Sequence, residues 1–135
     1  MAKREQTDER PVIAITGVAG RLGRELARQL HREHRVIGID RRPCRGLPKD
    51  VEHYRLDLRR NRTERIFRSN RIVAVVHCGI LHNPRSGQAE HYSFNVVGLQ
   101  RLLGYVKKYK VPKLVVLSTA DVYGPSPFNA TALSE

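Results

Sequence analysis

Three glycines, Gly17, Gly20 and Gly23, stand three residues apart directly after the apolar run at residues 12–15. Glycine can take the positive φ that a sharp turn out of a strand needs, and without a Cβ it lets a ligand approach the backbone. Leucines then recur at every fourth position, which is the spacing of an amphipathic helix. A helix start offers unpaired N–H groups and a partial positive charge. This arrangement predicts a turn that binds the phosphates of a dinucleotide.

The neighbouring polar residues extend the predicted site. Arg21 and Leu22 occupy the expected helix start and are included among the binding residues. Asp40 closes the second apolar run, twenty-three residues after the first glycine, close to the separation of about 20 expected for an acid that accepts hydrogen bonds from a ribose. A carboxylate there repels a 2′-phosphate, which favours NAD. Arg41 and Arg42 keep NADP open, because a guanidinium can bind that phosphate.

Alternating strands and helices are predicted to position these residues. Apolar runs predict strands at residues 12–15, 36–39, 51–58, 72–76 and 113–117. Helical periodicity predicts helices after residue 20, at 62–69 and at 88–109, the last with a buried stripe of Tyr92, Val96, Leu99, Leu103 and Val106. Strands that are apolar throughout and alternate with helices indicate an α/β, doubly wound parallel sheet, covered on both faces. The predicted strand order is 3-2-1-4-5.

Length and composition fit one globular domain. The chain has 135 residues, of which 40% are hydrophobic and 28% charged, which excludes a disordered or collagen-like protein. We expect a flexible polar tail at residues 1–11, a dinucleotide-binding domain at 12–124, and a loop or truncated C-terminal segment at 125–135. The sequence shows neither a membrane span nor a secretory signal, so a cytoplasmic location is expected. The two cysteines are far apart, and no metal site is predicted.

The net charge of +12 raises a different hypothesis. Such an excess of basic residues attracts phosphates, including those of nucleic acids. No aromatic residues are interleaved in the basic clusters, as stacking on single strands requires. Binding to nucleic acid is therefore the less favoured interpretation, and solvated arginines are the favoured one.

Six short motifs occur in one order along residues 12–124. They are Thr16-Gly17-x-x-Gly20-x-x-Gly23, Asp40, Asp57-Leu58, Val76-His77-Cys78-Gly79, Asn95-Val96-x-Gly98 and Ser118-Thr119-Ala120-Asp121-Val122-Tyr123-Gly124. In this order they resemble the extended short-chain dehydrogenase/reductases, the NAD(P)-dependent epimerase/dehydratase proteins with a Rossmann-like fold that act largely on nucleotide sugars. The alanine pair usual in that family is replaced here by Cys78-Gly79.

The resemblance implies a role for each matched residue. For the cofactor it implies Thr16 and the three glycines at the pyrophosphate, Asp40 at the ribose, Asp57 and Leu58 at the adenine, and Cys78 and Gly79 beside the nicotinamide ribose. For catalysis it implies that Asn95 orders a water and that Thr119 donates a hydrogen bond to the reacting oxygen. A short donor suits that position, since charge develops on the oxygen during hydride transfer.

The resembled family also uses a Tyr-x-x-x-Lys pair as its general acid/base. Tyr109 and Lys113 have this spacing, but they precede the fifth strand and enclose Pro112, so we interpret the match as coincidence. The expectation is a dinucleotide-binding portion that ends before the catalytic pair and the substrate-binding part. It would bind a nucleotide sugar only in a longer form, and it does not turn over substrate by itself. A non-catalytic dinucleotide-binding or sensing module, a basic nucleic-acid-binding protein, and a homodimer remain open.

Overall fold

The computed structural model describes residues 8–119 and residue 124. Within them, strands and helices alternate as the sequence predicts. The elements are β1 (Val12–Thr16), α1 (Arg21–Leu30), β2 (Arg35–Asp40), β3 (Glu52–Arg55), a 3₁₀ turn (Asn61–Thr63), α2 (Glu64–Ser69), β4 (Ile72–His77), α3 (Gln88–Tyr92), a π-helical turn (Ser93–Val97), α4 (Gly98–Lys108) and β5 (Lys113–Val116). The predicted strand at 51–58 is shorter, because its neighbour β2 ends at Asp40, which pairs with Arg55.

The described strands form one parallel sheet in the order β3-β2-β1-β4-β5. This confirms the predicted fold class and strand order. Successive strands are added toward one edge of the sheet from β1 to β3 and toward the other edge from β4 to β5, so the loops after β1 and β4 leave toward opposite sides. In open α/β sheets, ligands bind at such a point, beside the carboxyl ends of the strands.

Two apolar clusters cover the two faces of the central strands. One joins alternate residues of β1 and β2 to α1, with Ile13, Ile15, Val36 and Ala27 buried together. The other joins the opposite faces of the same strands to α2 and α4. Because β1 and β2 are apolar on both faces, they can lie only in the middle of such a layered structure. The carboxyl ends of these strands are thereby held in a rigid central position.

The predicted stripe of the long helix is only partly correct. Tyr92, Val96 and Leu103 are 60%, 37% and 43% exposed, whereas Leu102 is fully buried. Leu99 and Val106 pack on the core, and they fit both the predicted stripe and the observed one. A π-helical turn, with hydrogen bonds that span five residues instead of four, lies between α3 and α4. The side chains before this turn therefore point in a different direction from the one that a continuous α-helix would give them. Because Leu102 and Leu103 are adjacent, the sequence pattern could not show which of the two side chains points into the core.

The expectation of a sheet covered on both faces is wrong for β5. Val115 and Val116 are 48% and 40% exposed in the part of the chain that the structure describes. Leu114 alone of this strand packs against the cluster that contains α4. β5 is the last strand in the described order, so it has one strand neighbour.

Several sequence predictions lie outside the described residues. These are most of the tail at residues 1–11, the segment at 125–135, and the positions of Asp121 and Tyr123.

Among the described residues, no helix has both the length and the apolar character required to cross a bilayer.

Candidate functional site

The glycine turn begins at Gly17, directly after β1. Gly17 has a φ of +74°, its N–H donates to the Ile39 carbonyl at 2.8 Å, and its carbonyl accepts from the Gly20 N–H at 3.0 Å. A Cβ added here would lie 2.6 Å from the carbonyl carbon of Cys78 and from the amide nitrogen of Gly79. Both the positive φ and the close backbone therefore require glycine at this position.

Helix α1 starts immediately after this turn. Gly20 precedes the helix in an extended conformation, and among the described residues no side chain caps the helix start and no acid lies in its first turn. Arg21 and Leu22 are exposed there. The first N–H groups of a helix have no partner within it, so they remain available to an anion.

Gly23 holds the helix close to the turn. A Cβ added at this position would lie 2.4 Å from the Gly17 carbonyl oxygen and 2.9 Å from the Cα of Val18. The backbone of α1 thus packs directly on the glycine turn, which brings the helix start next to the end of β1. A side chain larger than that of glycine at position 23 would force the helix away from the turn.

Asp40 ends β2 and faces the same turn. It is 7% exposed, and its Oδ2 accepts a hydrogen bond from the Ala19 N–H at 3.1 Å. Its Oδ1 accepts from the Arg42 N–H at 2.9 Å. The Arg42 guanidinium adds an ion pair at 3.3 Å, with an arginine side chain that is 61% exposed. The carboxylate is therefore held at the carboxyl edge of the sheet, beside the glycine turn.

A cleft of about 280 Å³ opens along this edge. Eight of the predicted site residues line it, namely Thr16, Gly17, Asp40, Arg41, Asp57, Leu58, Cys78 and Gly79. Gly20, Arg21, Leu22 and Gly23 form the adjoining turn and helix start, and Asn95 and Thr119 do not line the cleft. Its volume is near the lower end of the range of about 300–1,000 Å³ that small-molecule sites occupy. The structure thus brings most of the predicted residues to one place.

Several residues of this cleft could not be recognised from the sequence. Leu81, His82 and Asn83 come from the loop after β4, and Phe94 comes from the π-helical turn. The only signal for this region in the sequence was Asn95, which the family resemblance singled out. The Asn95 side chain bonds to both backbone groups of Leu81, accepting from the N–H at 2.8 Å and donating to the carbonyl at 3.1 Å. It thereby fixes the loop against the helix, and its predicted role in ordering a water stays a prediction.

Arg59 also could not be recognised from the sequence, and its guanidinium lowers the pKa of the Asp57 carboxyl group. Its guanidinium holds the Asp57 carboxylate with Nη2 at 2.7 Å from Oδ2 and Nε at 3.0 Å from Oδ1. Burial raises the pKa of Asp57, but the hydrogen bonds and charge of Arg59 outweigh it, so the pKa lies below its ordinary value of 3.8. Asp57 is therefore ionised at neutral pH.

Arg59 reaches a second acid, Glu90 of α3. The Arg59 Nη1 lies 3.2 Å from Glu90 Oε2, and the Arg41 Nη1 lies 3.2 Å from Glu90 Oε1. Both guanidinium groups also stand over the ring of Phe94, at 4.5 Å for Arg41 and 5.5 Å for Arg59. Two arginines, one shared carboxylate and one aromatic ring therefore form the outer rim of the cleft.

Thr16 and His77 form a buried pair at the ends of β1 and β4. The Thr16 Oγ1 lies 2.6 Å from the His77 Nδ1, and the two residues are 1% and 3% exposed. Burial lowers the pKa of His77 from its ordinary value of 6.5. This placement fits the interpretation of His77 as a buried strand-end histidine.

His77 should make the fold sensitive to mild acid. A histidine whose pKa is lowered in the folded state binds its proton more readily when unfolded, so stability is complete above pH 6.5 and is lost as the pH falls from there toward the folded pKa. The slope is at most about 1.4 kcal/mol per pH unit. His77→Asn, which can keep a bond to Thr16, should flatten the decrease between pH 6.5 and 5. Urea unfolding at several pH values measures this, and equal slopes in both proteins would contradict it.

Cys78 and Thr119 differ in their surroundings. The Cys78 N–H donates to the Thr16 carbonyl at 3.0 Å, and burial raises the pKa of its thiol, so it is a poor nucleophile at neutral pH. Thr119 is exposed and follows β5 on the carboxyl side. Leu117 keeps that segment beside β4 through a bond from its N–H to the His77 carbonyl at 3.0 Å.

Tyr109 and Lys113 lie at the other edge of the sheet. Tyr109 follows the last residue of α4, and Lys113 begins β5. The Tyr109 hydroxyl donates to Glu64 Oε1 at 2.9 Å, and burial together with Glu64 raises its pKa. A tyrosine that acts as an acid/base near neutral pH needs a lowered pKa. These positions support the interpretation that the spacing of this pair is a coincidence.

The strand order, the glycine turn and the acid at the end of β2 define a Rossmann-like fold. A sequence model of the NAD dependent epimerase/dehydratase family matches residues 13–134. The chain belongs to that family.

Individual relatives agree with this assignment. The protein Rv0501 of Mycobacterium tuberculosis is 30% identical over 134 residues, which cover 92% of this chain and 36% of that protein. The UDP-glucose 4-epimerase of Halalkalibacterium halodurans is 31% identical over 121 residues, 83% of this chain and 36% of the relative. The enzyme WbmG of Bordetella bronchiseptica, solved with NAD and UDP, superposes with a TM-score of 0.76 at 27% identity, covering 83% and 38% of the two chains. The chain thus spans a little over one third of these proteins.

Proposed function

We propose that this chain binds NAD and forms the dinucleotide-binding portion of an oxidoreductase resembling the nucleotide-sugar epimerases and dehydratases. The observation that carries the proposal is the juxtaposition of Gly17, the uncapped start of α1 and Asp40 at one cleft. Free backbone N–H groups suit a diphosphate, and a carboxylate suits the hydroxyls of a ribose.

The residues present fit this cofactor. The turn from Gly17 to Gly20 leads directly into the uncapped start of α1, where a pyrophosphate would bind, with Thr16 and the helix-start residues beside it. Asp40 would bind the adenosine ribose, and Asp57 with Leu58 would line the adenine end. Arg42 pairs with part of the Asp40 carboxylate, and the side chains of the two residues are 61% and 6% exposed. The ribose hydroxyls would share the carboxylate with this guanidinium.

The reaction of the whole protein is a further part of the proposal. When bound, the nicotinamide ring supplies an acceptor or donor of hydride. Thr119, at the carboxyl side of β5, would donate a hydrogen bond to the substrate oxygen, and Asn95 would fix the loop that borders the same space. The substrate class that we propose is a nucleotide sugar, because the Halalkalibacterium relative is a UDP-glucose 4-epimerase and WbmG was solved with UDP.

Calorimetric titration with NAD, NADP and ADP-ribose tests the cofactor proposal. We expect saturable binding of NAD with one site per chain, and binding of NADP at least about tenfold weaker, because Asp40 repels the 2′-phosphate. ADP-ribose should bind nearly as well as NAD, since it keeps the diphosphate and the adenosine. Absence of binding by all three ligands would refute the proposal.

A further inference from the structure

Three acids and three arginines lie at the end of the cleft that contains Asp40 and Asp57, which we call the adenosine end. Its charged lining residues and their direct ion-pair partners are Asp40, Asp57, Glu90, Arg41, Arg42 and Arg59. The two arginines next to Asp40 are the ones that a 2′-phosphate would need. Arg42 is paired with Asp40 itself. The Arg41 guanidinium is therefore the one whose availability to a 2′-phosphate matters.

Arg41 is paired with Glu90 and not with Asp40. The Nη1 of Arg41 bonds to Glu90 Oε1 at 3.2 Å, and its guanidinium lies 4.5 Å from the centre of the Phe94 ring. Glu90 lies forty-nine residues further along the chain, on α3. Its own position is fixed from the other side by Arg59, which also binds Asp57 and donates to Ser93 Oγ at 3.0 Å.

This arrangement has a consequence for the choice of dinucleotide. A 2′-phosphate binds well where a guanidinium is free to make charge-assisted hydrogen bonds and where the local charge is positive. Glu90 removes both conditions, because it occupies the Arg41 guanidinium and brings the local charge to zero. Without Glu90, Arg41 would be free of its ion pair, and the adenosine end would carry an excess positive charge.

We propose that Glu90 is a specificity-determining residue that favours NAD over NADP by retaining Arg41. This inference rests on the proposed dinucleotide binding and adds a second acid to Asp40. Glu90 acts through the arginine and needs no contact with the ribose. It therefore differs from Asp40, whose carboxylate is at the end of β2 and would meet the ribose directly.

The test compares the ratio of NADP affinity to NAD affinity in Glu90→Gln and in the wild-type chain. We expect NADP to bind roughly fivefold more tightly and NAD to change by less than about twofold, the range that loss of an exposed ion pair allows. Glu64→Gln is the matched control, because Glu64 pairs with Lys108 on α4 and does not line the cleft. It makes the same change in net charge, and the ratio should stay constant.

A double variant, Glu90→Gln with Arg41→Ala, identifies the cation. It should lose the gain in NADP binding, and thermal unfolding of each variant shows that the fold is retained. An unchanged ratio in Glu90→Gln, while the wild-type chain binds NAD, would overturn the role of Glu90 and leave the proposed function intact. A gain that persists without Arg41 would also overturn it. If the wild-type chain binds neither dinucleotide, the proposed function fails, and this inference fails with it.

Discussion

Replacement of Gly17 by alanine is expected to lower the melting temperature by about 10 °C or more and to abolish measurable NAD binding. The φ of +74° at this residue costs an L-amino acid roughly 1–2 kcal/mol. The added Cβ would also stand 2.6 Å from the Cys78 carbonyl carbon and the Gly79 nitrogen, which are backbone atoms that cannot rotate away.

The combined cost should reach about 3 kcal/mol, a large part of the roughly 5–15 kcal/mol that stabilises a domain. One kcal/mol corresponds to a shift of about 3–6 °C for a chain of this size. Relief of the clash would separate β1 from the end of β4, because Gly17 and Cys78 are neighbours at that point. The same movement displaces the amides proposed to bind the diphosphate, so stability and binding should fall together.

Gly104→Ala is the matched control for this variant. Gly104 lies within α4, and an added Cβ there would meet nothing within 4 Å. Alanine in a helix interior is favoured over glycine by about 1 kcal/mol, so the melting temperature should rise slightly and NAD binding should persist. A Gly17→Ala protein as stable as the wild type would show that the turn is not as tight as the structure describes. Circular dichroism and calorimetry measure both quantities.

The sheet and the glycine turn could be predicted because their signals are local. Strands that are apolar on both faces, such as β1 and β2, must be central in a parallel sheet. The spacing of Gly17, Gly20 and Gly23 is interpretable because a strand precedes it and a helix follows it. Each inference needed only a short stretch of sequence, and the strand order then followed from general rules of connection.

The outer rim of the cleft could not be predicted, because its contacts join distant segments. Glu90 meets Arg41 and Arg59 across forty-nine and thirty-one residues. A chain with nineteen arginines offers many possible partners for each acid. The choice among them is made by how α3 and the π-helical turn lie against the segments that follow β2 and β3, which carry Arg41 and Arg59. Asn95 illustrates the same limit, since its bonds to Leu81 span fourteen residues and depend on the loop after β4.

Asp40→Asn is expected to weaken NAD binding by about tenfold to a hundredfold while the fold is retained. Hydrogen bonds to a charged acceptor contribute about 1.5–3 kcal/mol each, and the amide loses that charge. The asparagine oxygen can still accept the hydrogen bond from the Ala19 N–H that Asp40 accepts at 3.1 Å. The amide nitrogen then replaces Oδ1, so the bond from the Arg42 N–H at 2.9 Å is lost, at a cost to the fold of about 1 kcal/mol. The glycine turn keeps its partner, and the larger effect is expected on the ligand.

The same substitution should bring the NADP and NAD affinities together or reverse their order. Removal of the carboxylate ends its repulsion of the 2′-phosphate and releases the Arg42 guanidinium, which lies 3.3 Å from Asp40. Asp50→Asn is the matched control, since Asp50 is an exposed acid paired with His31 and Arg10, away from the cleft. Unchanged NAD binding in Asp40→Asn would show that the acid only supports the turn. A selective loss of NAD affinity, with Asp50→Asn unaffected, would instead identify the Asp40 carboxylate as the group that binds the ribose hydroxyls.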